Sequence, residues 1–160
     1  MYEFTQKITP NLWFDSEAED AAKFYCSVFP DSRIVHVLHN GEAGPGEQGG
    51  VLVVQFELAG LKLVAINGGP VFKLSEAFSL EVTCESQEEI DRLWEVLGEG
   101  GEYQPCGWLK DRFGLSWQIT PRRLMELITS SDPAVAERAM KKMFEMRKFD
   151  IAELEAAALG

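Results

Sequence analysis

The sequence predicts an α+β fold: two βαβββ modules in tandem, followed by C-terminal helices. Three observations predict it. A strand-then-helix unit over residues 8–29 recurs over residues 77–97. Moving by 69 positions places Ala21 on Ile90, Phe24 on Leu93, Tyr25 on Trp94 and Val28 on Leu97. Each helix is followed by three short strands, with a glycine turn at Gly60 in one half and Gly114 in the other, and a repeat of this kind outranks local signals in deciding architecture.

Taken in order, Ile8 to Phe14 has strand composition. Ser16 and Glu19 have the spacing of a capping box, in which each side chain satisfies a backbone N–H that the first helical turn leaves open. Ala21, Phe24, Tyr25 and Val28 then form one helical face, and Pro30 stops the helix. Strands follow at Arg33–His39, Val51–Leu58 and Leu61–Ile66, the last two joined by the Ala59-Gly60 turn. Between the first two lies NGEAGPGEQGG (40–50), polar and glycine-rich, with the composition of a mobile loop. A phosphate-cradling loop needs backbone N–H groups opening a helix; here Pro45 removes one and a strand follows.

The second module starts with the alternating strand Ala77–Thr83. Ser86 and Glu89 form a second capping box, before an apolar face of Ile90, Leu93, Trp94 and Leu97. A short segment near Tyr103, then Trp108–Arg112 and Leu115–Thr120, complete it around Phe113-Gly114. Beyond Pro121, Arg122–Thr129 reads as a short helix. Asp132-Pro133 opens another, since proline suits the first helical position. Asp150 and Glu153 open the last. The domain is predicted over 1–121, as modules 1–70 and 71–121, with 122–160 a helical extension of it. The Met-rich face of Val135, Ala139, Met143 and Met146, with Met140 and Phe144 beside it, is expected to pack on the sheet or on a second subunit.

Composition narrows the function. The 15 Lys and Arg against 26 Asp and Glu give a net charge of −11. Such a field repels phosphate backbones and anionic lipid, so neither nucleic acid nor a membrane is an expected partner. The N-terminus Met1–Lys7 lacks the layout of a signal peptide, and no apolar run approaches the ~18 residues of a membrane span. Cys26, Cys84 and Cys106 have no paired spacing and read as reduced thiols, which makes a cytoplasmic setting the expectation. His36 and His39 are the only histidines, three apart on a strand and so on opposite faces.

Several stretches resemble a known family. ITPNLWFD (8–15), KFYCSVFPDSRI (23–34), AINGGPVFKLSEAFSLEVTCESQEEIDRLW (65–94) and CGWLKDRFGLSWQITP (106–121) resemble the PhnB-like branch of the vicinal-oxygen-chelate superfamily. That superfamily includes glyoxalase I, bleomycin-resistance proteins and extradiol dioxygenases. Members of the branch often carry the label 3-demethylubiquinone-9 3-methyltransferase. AMKKMFEMRKFDIAELEAA (139–157) fits the same branch. The resemblance implies that the eight strands form an open barrel-like sheet around a small-molecule cavity, and that the protein is a homodimer. Metal-dependent relatives place four His or Glu ligands on the first and last strands of each module. The corresponding positions counted here are Ile8, Val64, Ala77 and Gln118, three apolar and one a neutral amide, which is a weak ligand for a transition metal. No metal and no other cofactor is expected.

An unknown small molecule is then the expected partner. Trp13, Trp108 and Trp117 lie on predicted strands and could stack on a flat ligand, whereas Trp94 belongs to the helix face. Gln118 is a polar group where the barrel interior is expected, and either orients a ligand or ties down a neighbour. Asn67 in NGGP forms a turn or contacts the ligand. Glu81 shares a face with Ser79 and Thr83, and becomes a candidate general base if that face is buried. Cys106 has no nearby base to activate it, and Lys110-Asp111-Arg112 reads as a solvated hairpin end. Three functions stay open: metal-free binding of a small aromatic or apolar molecule, methyl transfer to a quinone-like substrate as the family label says, and a dimeric interaction module without catalysis. Methyl transfer from S-adenosylmethionine usually calls for a glycine loop opening a helix, an arrangement the sequence lacks.

Overall fold

The computed structural model describes residues 5–160; Met1–Phe4, part of the N-terminal stretch discussed above, lie outside the described residues. The chain divides into two compact units, the first ending at Leu74 and the second spanning Ser75–Gly160. The boundary falls four residues later than the sequence suggested, and the C-terminal helices belong to the second unit.

Unit 1 contains β1 (Asn11–Phe14), α1 (Ala18–Val28), β2 (Arg33–His39), β3 (Val51–Leu58) and β4 (Leu61–Asn67). Its sheet has the order β1-β4-β3-β2, with β1 parallel to β4 and the other pairs antiparallel. Period-2 alternation sends Leu12, Phe14, Val54, Phe56, Leu58, Leu63 and Ala65 to one face, where they are buried. Ala18, Ala21, Ala22, Tyr25 and Val28 of α1 are buried as well. The three alanines let helix backbone approach sheet closely, and Tyr25 meets Phe56 at a ring distance of 6.4 Å. The hairpin turn has positive φ at both Ala59 (46°) and Gly60 (92°), the combination a two-residue turn needs to match strand twist.

Unit 2 repeats the plan with β5 (Ser79–Cys84), α2 (Gln87–Gly98), β6 (Glu102–Tyr103), β7 (Trp108–Lys110) and β8 (Ser116–Pro121), in the order β5-β8-β7-β6. Here Ile90, Leu93 and Leu97 of α2 are buried, as are Cys84, Leu109, Leu115, Trp117 and Ile119. Trp94 stacks on Tyr103 at 4.8 Å, and a side chain at Gly98 would collide with that Tyr103 ring.

The two helices start differently. Ser86 caps α2 as predicted, its hydroxyl accepting the Glu89 N–H at 3.2 Å, while Glu89 accepts from the Glu85 N–H. The predicted Ser16–Glu19 box does not form. Glu17 is the N-cap residue and gives no side-chain bond; instead Asn67 Oδ1, at the end of β4, accepts the Ala18 N–H at 2.8 Å. A cap from a distant strand has displaced the local one. In unit 2 the β8 residue at the matching register position is Pro121, which has no such amide, so the helix depends on its own serine.

The extension forms α3 (Arg122–Ile128), α4 (Pro133–Glu145) and α5 (Ile151–Leu159), with Asp132 and Asp150 capping the last two as predicted. Leu124, Leu127, Ala139, Met146, Phe149, Leu154 and Ala158 make a small core against which Cys106, Val135 and Met143 pack. Met140 and Phe144 remain exposed. The segment between α4 and α5 fastens the extension down. The N–H groups of Cys106 and Gly107 donate to the carbonyls of Met146 and Arg147 at 2.8 and 2.7 Å. The Gln87 amide spans Phe149 O and Ile151 N–H, and Lys148 pairs with Asp91. Gly107 has φ 76°, and a Cβ there would lie 2.4 Å from the Phe149 ring.

Candidate functional site

Strand register gathers three of the candidate residues into one row. Trp108 on β7 is the register partner of Gln118 on β8, and Gln118 is the partner of Glu81 on β5. Register partners project on the same side of a sheet, so an indole, an amide and a carboxylate stand side by side on the face opposite α2. Trp108 and Gln118 are half-buried and Glu81 is exposed. Gln118 Nε2 donates to Ser79 Oγ at 2.9 Å, which fixes the amide orientation. Two residues before Gln118, on the same face, Ser116 is fully buried, and its hydroxyl oxygen has no hydrogen-bond partner among the described residues. Glu81 stands exposed rather than desolvated, so the burial that a general-base role required is missing.

Trp117 is a correction. It follows Trp108 in the tryptophan set but precedes Gln118 in sequence, and consecutive strand residues point to opposite faces. Trp117 is 2% exposed, and its indole N–H donates to Asp111 Oδ2 at 2.8 Å. It is a core residue. Asp111, read as part of a solvated hairpin end, is likewise 2% exposed. Its carboxylate also accepts the N–H groups of Phe113 (2.9 Å) and Leu115 (3.1 Å), so one buried acceptor organises the turn and anchors the tryptophan. Lys110 pairs with Glu76. The Lys110 ammonium, the Glu76 backbone and the Gln104 amide hold the Glu76 carboxyl down at about 2.

In unit 1, Trp13 donates its indole N–H to Gly69 O at 2.9 Å and meets Phe72 edge-on at 5.0 Å. Gly68 is needed there, because a Cβ would lie 2.1 Å from the Trp13 ring. Asn67 spends its amide on architecture: besides capping α1, its Nδ2 donates to Val51 O at 3.0 Å. Sequence had Asn67 as a turn former or ligand contact and missed the cap, because its partner lies 49 residues earlier.

The positions counted for a metal shift in register. Ile8 and Ala77 lie before their strands; the residues across from Val64 and Gln118 are Asn11 and Glu81. Unit 1 thus offers an amide and a valine, and unit 2 a carboxylate and an amide. Among the described residues no group of three or more His, Cys, Asp or Glu is placed to hold a metal ion. This donor set does not fit the four-ligand carboxylate and imidazole centre of metal-dependent relatives. His36 and His39 are both exposed, and bulges in the β2–β3 pairing break the strict alternation expected of them. Burial pushes the Cys84 thiol up to about 12 and also raises Cys26, which makes both unreactive. Cys106 packs beside the extension, its sulfur 3.6 Å from Met143 O.

Two βαβββ units, each with its first and last strands paired in parallel, define the class: the vicinal-oxygen-chelate fold. The chain belongs to the PhnB-like family described as 3-demethylubiquinone-9 3-methyltransferase, which matches residues 6–120. The PhnB protein of Bacillus cereus, which bears that methyltransferase name, is 38% identical, with a TM-score of 0.67 over 72% of this chain and 99% of that one. Protein PA1353 of Pseudomonas aeruginosa is 21% identical, with a TM-score of 0.62 over 73% and 98%. The fosfomycin resistance protein FosX of Mesorhizobium loti, 12% identical, shares the fold at a TM-score of 0.50 over 72% and 90%. No curated protein matches. The family match stops at residue 120, before the helical extension. Among the described residues no helix is long and apolar enough to cross a membrane.

Proposed function

We propose that this protein binds a small aromatic or apolar molecule without a metal, and that the row Trp108–Gln118–Glu81 is its recognition surface. The row itself carries the reading. Trp108 offers a flat face for stacking. Gln118, held by Ser79, supplies an oriented amide oxygen, and the exposed Glu81 accepts a donor at the ligand's edge. A few convergent polar groups beside an aromatic wall is the usual composition of a small-molecule site. Binding as a homodimer in the cytoplasm is part of this proposal.

Methyl transfer stays as the alternative that the family name supplies. In this structure the glycine-rich segment 40–50 joins β2 to β3, two strands, so it does not present a helix start to a phosphate. A thermal-shift screen of planar aromatic compounds against divalent metals tests the main reading. Stabilisation by an aromatic compound and by no metal supports it; stabilisation by metal alone refutes it. Calorimetry with S-adenosylmethionine tests the alternative, for which tight binding is required.

A further inference from the structure

Each member of the row in unit 2 favours positive charge beside it. The face of the Trp108 indole carries the negative lobe of its π-system, and tryptophan is the strongest aromatic partner for a cation. Gln118 Nε2 is committed to Ser79 Oγ at 2.9 Å, so the amide keeps its oxygen, without a partner among the described residues, as the open acceptor. Glu81, one strand further on, is exposed and forms no ion pair among the described residues.

The cation that these strands supply is already spent. Lys110 is the sole Lys, Arg or His in the four strands of unit 2, and alternation puts it on the same face as Trp108, two residues along β7. Its ammonium meets Glu76 at 2.6 Å, and Glu102, its register partner on β6, adds a second negative charge beside it. Glu81 is left uncompensated, and the face keeps a net negative charge. A neutral ring on Trp108 would gain stacking and leave the carboxylate to water. An anionic ring would meet repulsion from Glu81.

We infer that the row selects planar aromatic cations, heteroaromatic rings whose N–H donors carry the positive charge, over neutral and anionic rings of the same shape. Such selection rests on the row being the recognition surface proposed above, and adds the charge of its ligand. The ring stacks on Trp108, and its N–H groups donate to the Gln118 oxygen and to Glu81; no bond is made or broken.

The test is an NMR titration of the full chain at neutral pH with three matched rings: 4-aminoquinoline, which is protonated there, 1-aminonaphthalene, its neutral isostere, and 1-naphthoate, an anion. The Trp108 indole and Gln118 side-chain amide signals report on the row. 4-Aminoquinoline should bind about tenfold tighter than 1-aminonaphthalene, as expected for one cation–π contact and one exposed ion pair together, and 1-naphthoate should bind more weakly than both. Glu81→Gln should cut the cation-to-neutral ratio to about threefold. Glu42→Gln removes a carboxylate from the 40–50 segment of unit 1 and should leave the ratio unchanged, which separates the row from the general attraction of a −11 chain for cations. Equal affinity for the two isosteres, tighter binding of 1-naphthoate, or a ratio in Glu81→Gln no lower than in Glu42→Gln each overturns the inference while the row still binds a ring. Saturation by none of the three rings, or saturation that leaves both row signals unmoved, overturns the reading of the row itself, and the inference with it.

Discussion

The indole N–H of Trp117 donates to the carboxylate of Asp111 at 2.8 Å, and both side chains are 2% exposed. This bond links the turn before β8 to the buried face of the strand whose other face carries Gln118. The row proposed for recognition is therefore held from behind by a buried carboxylate that accepts from the Phe113, Leu115 and Trp117 N–H groups.

Asp111→Ala should cost unit 2 about 3 kcal/mol, because it strands the Trp117 indole and two turn amides in the interior. Asp111→Asn, which keeps an acceptor for the turn amides and loses the one for the indole, should cost less. Urea denaturation of the full chain measures both. A loss below about 1 kcal/mol for Asp111→Ala would show that the carboxylate does not organise the turn.

The two helix starts give contrasting expectations. Asn67→Ala should destabilise by about 1–2 kcal/mol, and Ser86→Ala by about 1, since each removes the cap in use. Ser16→Ala should stay within about 0.5 kcal/mol, because the Ser16 hydroxyl caps nothing. Denaturation midpoints of the three variants decide this. A Ser16→Ala loss equal to that of Ser86→Ala would mean the local box forms in solution.

Those helices also show what could be read without a structure. Asp132 and Asp150 act on N–H groups two and three residues away and were legible, as were Gly60 and Gly114, whose turns join adjacent strands. The start of β1 was not: it pairs with β4 only along Asn11–Phe14, and nothing near Ile8 reveals where a partner 53 residues ahead (11 to 64) begins. Asp111 sat in a run of three charged residues that looked solvated. Its burial depends on Trp117 and on the turn closing around it, neither of which composition shows. The Trp108–Gln118–Glu81 row is a product of register, so its members were named singly but not as neighbours.

The Glu76–Lys110 pair predicts a pH signature. The folded Glu76 carboxyl sits at about 2 against an ordinary 4.5, so the pair's contribution is complete above pH ~4.5 and is lost as pH falls through about 2. Lys110 is shifted upward by the same partner, so its share is present below its ordinary value of 10.5 and is lost only above it. The stability gap between wild type and Glu76→Gln should be constant near neutrality and vanish towards pH 2. A gap that persists there, or a Glu76 carboxyl NMR titration near 4.5, contradicts the pairing.

The extension should be inseparable from unit 2. Truncation after Pro121 removes the acceptors of the Cys106 and Gly107 amides and uncovers the surface beneath Phe149. In the full chain, Phe149→Ala should cost about 3–5 kcal/mol, as for a large buried ring. Circular dichroism should show the truncated chain unfolded or melting far earlier. An unchanged melting transition would make the helices a separate attachment instead.

The most direct measurement is the affinity of the best aromatic compound from the thermal-shift screen, by fluorescence titration, for wild type, Trp108→Leu and Trp94→Leu. Trp94 is a control, since it stacks on Tyr103 from α2. The account predicts that Trp108→Leu weakens binding by about tenfold, roughly 1.4 kcal/mol, and that Trp94→Leu leaves it within about twofold. Unchanged affinity in a folded Trp108→Leu protein would contradict it.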